Sequence, residues 1–80
     1  MEWGAEVIMK PGYFELRSEV VRAILLREDM RQWWVAERVG VHKTTLRRWL
    51  SGEIGAVHQE NLARLADVLC TSLSEITRSG

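Results

Sequence analysis

Among 80 residues there is one cysteine, one proline and no surplus of either charge, with 11 Lys+Arg against 11 Asp+Glu. A single thiol, Cys70, excludes an internal disulfide and any cysteine-based zinc frame. It suits a reducing compartment, and a cytoplasmic location is the expectation. No uninterrupted apolar run approaches the ~20 residues that a membrane span needs. The first residues also lack a basic start followed by an apolar block, so no secretory leader is expected. His42 and His58 have no metal-ligand spacing, Cys70 has no evident base to activate it, and Glu53 and Glu60 have no matching acid. The expectation is therefore a non-enzyme without cofactor or metal.

What is present describes one small folded domain. Apolar residues make up 46% of the chain and charged residues 28%, a balance that argues against disorder. A chain this short buries only roughly 60% of its unfolded surface, so a second core does not fit. The zero net charge hides a gradient. Residues 1–30 carry four bases and six acids, and residues 49–80 carry two bases and four acids. Between them, residues 31–48 hold five bases (Arg31, Arg38, Lys43, Arg47, Arg48) against Glu37 alone. A local positive field of that kind suits an anionic partner, although a solvated helix face has the same composition.

The chain reads as an N-terminal arm over residues 1–17 followed by a helical domain over residues 18–80. Ala5–Met9 and Tyr13–Leu16 are apolar-rich and flank Lys10-Pro11-Gly12, a turn signal. Either a short hairpin, with Tyr13–Leu16 the better strand, or an irregular arm fits them. Ser18 is a good N-cap for a first helix with Val20, Val21, Ile24 and Leu25 on one stripe, ending near Glu28-Asp29. A second helix, Gln32–Val39, is closed by Gly40. A third runs from about Lys43 to Leu50 and stops at Ser51-Gly52. Glu53–Val57 reads as loop, Gln59–Leu69 as a fourth helix, and a last turn leads through Ile76.

The third helix carries the chemistry. At about 100° per residue, Lys43, Thr44, Arg47 and Arg48 fall within one polar arc of about 140°, and Leu46, Trp49 and Leu50 fall opposite. One face is cationic and hydrogen-bonding; the other suits a core. A helix fits the DNA major groove, where Arg and Lys donate to guanine O6 and N7 and Thr meets phosphate or a thymine methyl. The link Val39-Gly40-Val41-His42 is short enough to hold helices two and three at a fixed angle.

From Ser18 to about Thr77 the chain resembles the Cro/phage-repressor (XRE) helix-turn-helix domains. The likeness rests on Gln32-Trp33-Trp34-Val35-Ala36 for the family's Gln-x-x-apolar-Ala, then Gly40-Val41, then Thr44-Thr45-Leu46-Arg47-Arg48-Trp49 and Leu50-Ser51-Gly52. It continues through Leu62-Ala63-Arg64-Leu65-Ala66-Asp67-Val68-Leu69 and Leu73-Ser74-Glu75-Ile76. The order and spacing of these blocks make it specific. It implies a compact all-α, five-helix, lambda-repressor-like fold, here with room for a short N-terminal β element. By the resemblance, Gln32 holds a phosphate, Lys43, Thr44 and Arg48 face bases, and Thr45, Arg47 and Ser51 meet phosphate or the groove wall. Arg31, where the family has a Ser or Thr cap, is a further candidate for phosphate.

Other departures from the family lie at Asp29 and Cys70, which replace turn glycines, and at Trp33-Trp34, which replace exposed polar residues. The tryptophan pair is a candidate protein-docking patch. The competing reading has the arm (Val7, Ile8, Tyr13, Phe14) covering one of them. Trp33 lies near the expected phosphate side, where its indole N–H has a donor to offer. Trp49 and Cys70 read as buried. His42 reads as a surface residue, a helix cap or a phosphate contact.

The function expected is sequence-specific binding of double-stranded DNA by a transcriptional regulator, with helix 43–50 in the major groove. A homodimer on a pseudo-palindromic operator follows from that reading, since one recognition helix offers few contacts. The alternative is a domain of the same shape that binds protein through Trp33/Trp34 or the arm, as an antitoxin or anti-repressor does.

Overall fold

A computed structural model describes residues 12–78, and among them five helices and three short strands build the domain. The order is β1 (Tyr13–Leu16), α1 (Ser18–Arg27), α2 (Gln32–Val39), α3 (Lys43–Ser51), β2 (Ala56–His58), α4 (Gln59–Leu69), α5 (Leu73–Ile76) and β3 (Thr77–Arg78). The domain is mostly helical, as expected, and each helix falls where its apolar spacing puts it.

Each helix turns one stripe inward. Val21, Ile24 and Leu25 of α1 share one core cluster with Val35, Ala36 and Val39 of α2 and Leu46, Trp49 and Leu50 of α3. Leu62, Leu65, Ala66 and Leu69 of α4, with Ile76 of α5, close the cluster from the other side. Trp49 is core, as its position on the wheel requires. No polar or charged side chain among the described residues is buried in this cluster, so its stability rests on apolar transfer and close packing.

The β element is larger than the short N-terminal one expected. β1 is the middle strand of an antiparallel sheet of order β2-β1-β3. Phe14 lies opposite Val57, and Leu16 lies opposite Thr77. Ala56–His58 is thus a strand rather than the end of a loop, with Val57 buried in the core. Arg78 adds ion pairs to Glu15 at 3.4 Å and Glu19 at 3.5 Å. The hairpin alternative across Lys10-Pro11-Gly12, and the arm residues Val7 and Ile8, lie outside the described residues.

The helix ends show why the turns hold. α1 closes with Asp29 at φ 56°, and Met30 N–H donates to the Leu25 carbonyl at 2.8 Å. α4 closes the same way: Cys70 stands at φ 56° and Thr71 N–H donates to the Ala66 carbonyl at 3.0 Å. Both are left-handed closures of the kind glycine favours, held here by residues with a Cβ. Cys70 is exposed, not buried as its size suggested, because that closure turns the side chain out of the core. Ser18 is the first residue inside α1 rather than its cap, and Arg17, which precedes the helix, makes no side-chain cap bond.

Candidate nucleic-acid interface

α2 and α3 are joined by Gly40, Val41 and His42. Gly40 adopts φ 92°, and its N–H and that of Val41 both donate to the Ala36 carbonyl, at 2.9 and 3.0 Å. A side chain at Gly40 would be strained in this conformation. The turn therefore fixes how α3 leaves α2, and the apolar faces of both helices lock the angle against α1 and α4.

α3 begins on a histidine. His42 Nδ1 accepts from the Thr44 N–H at 3.1 Å, the cap role that was one of its sequence readings. α4 is started in the same manner by His58, whose Nδ1 accepts from the Glu60 N–H at 3.2 Å. At the far end of α3, Gly52 stands at φ 85°, and an Arg22 N–H donates to the Leu50 carbonyl, tying the last turn to α1.

With α3 fixed in this way, its polar arc faces outward. Lys43, Arg47 and Arg48 are exposed, and Thr44 and Thr45 are half-buried. Leu46, Trp49 and Leu50 on the opposite side are at most 3% exposed. The contrast is sharp enough to make α3 a single amphipathic rod. Gln32 opens α2, with Arg31 just before it, and both are exposed. Arg31 makes no side-chain cap bond, so the first-turn N–H groups of α2 receive no capping side chain from it.

Gln32 and Trp33 of α2 share one groove with Lys43, Thr44 and Arg47 of α3. Four of the eight candidate DNA contacts are thus gathered at one cleft. Arg31 lies on the adjoining side of Trp33, in a second groove with Asp29, Met30 and Trp34. Arg48 and Ser51 lie further along α3 and are engaged locally. Arg48 Nε stands 3.8 Å from Glu53 Oε2. The Ser51 hydroxyl donates to the Arg48 carbonyl at 3.1 Å and accepts from the Glu53 N–H at 3.3 Å. Thr45 sits on the flank of α3, outside the groove.

Electrostatics divide the surface. Among the described residues, the ion pairs take up Arg17, Arg27, Arg48 and Arg78. Arg31, Lys43 and Arg47 have no carboxylate partner among those residues. Arg38 lies over the Trp34 ring at 4.8 Å from its centroid, a cation–π contact that accounts for the second tryptophan. Trp34 packs on the core and is half-buried, whereas Trp33 is 58% exposed. The sequence marked the pair as unusual but did not separate their roles. The helical wheel does, since Trp34 lies beside Arg38 one turn on. No helix among the described residues is long and apolar enough to cross a membrane.

Two helices at a fixed angle, with the second presenting an outward polar arc, define a helix-turn-helix domain. A family model for the helix-turn-helix domain matches residues 15–78, and the chain belongs to that family. Its span begins within β1 and ends in β3, so the five helices, β2, β3 and the second half of β1 fall inside the match. No curated protein and no solved structure matches the chain.

Proposed function

We propose that this domain binds double-stranded DNA in a sequence-specific manner as a transcriptional regulator of the Cro/phage-repressor type, with α3 in the major groove. The observation that carries this reading is the shared groove of Gln32, Lys43, Thr44 and Arg47, with Arg31 beside it. An anion at the start of α2 meets the Gln32 amide and the positive end of a helix. The Lys43, Thr44 and Arg48 side chains then reach base edges, while Arg31, Thr45, Arg47 and Ser51 meet the backbone and fix the register. Arg48 gives up its ion pair to Glu53 on binding, a modest cost for an exposed pair.

One copy of α3 offers few base contacts, so the active species in this reading is a homodimer on a pseudo-palindromic site with half-sites about one helical turn apart. Duplex affinity measured between about 50 and 200 mM salt tests the proposal. Affinity falls steeply across that range through counterion release. Selection of duplexes from a random pool then yields a two-fold symmetric sequence.

A second reading, a helix-turn-helix module that binds protein, draws on the exposure of Trp33 and of Leu26, which is 85% exposed on α1. It predicts no duplex affinity at any salt concentration.

A further inference from the structure

We infer that Trp33 is a DNA-backbone contact, its indole packed against deoxyribose and its Nε1–H donating to a phosphate oxygen. The inference rests on the DNA-binding reading above and extends it to a residue that reading does not require. Trp33 is the second residue of α2 and lines the same groove as Lys43, Thr44 and Arg47. On its other side it lines the groove that holds Arg31. A large apolar ring therefore stands between cations that have no carboxylate partner among the described residues, at a helix N-terminus whose preceding residue makes no side-chain cap bond.

That juxtaposition selects its partner. An apolar protein surface would meet the indole but bury Arg31, Lys43 and Arg47 without counter-charge, which is costly. A simple anion would satisfy the cations and leave the ring in water. The sugar–phosphate backbone alternates negative oxygens with apolar C–H surface and satisfies both. Asp29 lines the adjoining groove with Arg31, and no acid lines the groove of Lys43 and Arg47 among the described residues. With α3 in the major groove, the start of α2 abuts the groove wall, where that backbone runs. Trp34 has no such role, because Arg38 covers its ring and the core takes the rest.

The experiment compares wild type, Trp33→Ala and Trp33→Phe on a selected duplex and on a random duplex, from about 50 to 200 mM salt. Trp33 is more than half exposed, so both variants are expected to fold, and circular dichroism with thermal melting checks this. Trp33→Ala is expected to lose about tenfold in affinity on both duplexes, the scale of a partly covered aromatic side chain. Its salt slope should stay that of wild type, since no charge is removed, whereas Arg31→Ala or Arg47→Ala lowers the slope by about 0.9. Trp33→Phe keeps a ring face without the N–H and falls between. Wild-type affinity in Trp33→Ala overturns the inference and leaves DNA binding intact. A loss confined to the selected duplex overturns the backbone assignment. A loss that tracks a shift from dimer to monomer in sedimentation assigns the ring to a protein contact and overturns it too. No duplex affinity in wild type brings down the DNA reading and this inference together.

Discussion

The His42 imidazole and the Thr44 backbone N–H are joined by a 3.1 Å hydrogen bond that starts α3. The helix proposed to read DNA therefore begins on a side-chain acceptor at the same turn that supplies Lys43 and Thr44. Cap and contact residues are neighbours, and a change in one is expected to disturb the other.

Replacing His42 with Ala removes the acceptor and leaves the Thr44 N–H without it. The expected cost is about 1 kcal/mol, which lowers the melting midpoint by about 4–8 °C in a domain of this size. His42→Asn offers an equivalent acceptor and should recover most of the loss. Thermal denaturation followed by circular dichroism measures both.

Cys70 closes α4 in the left-handed region, where a Cβ costs about 1–2 kcal/mol. Cys70→Gly removes that cost and returns part of it as unfolded-chain freedom, about 0.5–1 kcal/mol. A net rise of a few degrees in the melting midpoint is expected, and Cys70→Val should lower it, because a branched side chain is poorly tolerated there. A fall on glycine substitution would show that the closure carries no strain.

In the proposed reading, Arg48 and Gln32 divide specificity from affinity. Arg48→Ala should cut the preference for a selected duplex over random duplex by about tenfold or more, the worth of a bidentate base contact. Gln32→Ala should weaken both duplexes alike. Competition binding with the two duplexes at one salt concentration separates the cases, and equal losses in both variants would contradict the division.

Glu53 stands 3.8 Å from Arg48 and holds its guanidinium beside the loop after α3. Glu53→Gln releases the arginine and removes a negative charge near the interface. Stability should change by about 0.5 kcal/mol or less, as for other exposed pairs, while duplex affinity rises. Unchanged affinity with unchanged stability would mean that Arg48 does not approach the duplex.

Leu46 is fully buried on the inner face of α3. Leu46→Ala should destabilise the fold by about 2–5 kcal/mol, a large fraction of the stability of a small domain. DNA binding should then vanish with the helical signal, in contrast to Arg48→Ala, which leaves the melting curve in place.

The helices were legible because each has a local signature. Leu62, Leu65, Ala66 and Leu69 alone define α4, and Gly40 marks the end of α2 without reference to the rest of the chain. The outward arc of Lys43, Arg47 and Arg48 follows from helical spacing once α3 exists. The sheet was not legible in full, because β2 and β3 are three and two residues long and draw their pairing from β1, more than forty positions away in sequence. Such segments carry too little pattern of their own to stand out. The exposure of Cys70 was missed for a related reason. Its size suggested burial, but the left-handed closure it occupies decides its direction. The groove itself needed three dimensions, since Gln32 and Trp33 meet Lys43, Thr44 and Arg47 only after the Gly40 turn has folded α3 back.

β1 hydrogen-bonds on one flank to the segment that leaves α3 and on the other to the segment that leaves α5. A short ribbon thus staples two distant stretches of the polypeptide, and neither outer strand keeps a ladder without it. In hydrogen–deuterium exchange the amides of all three strands should open in a single step, and loosening Phe14 or Leu16 should be felt at Val57 and Thr77 together.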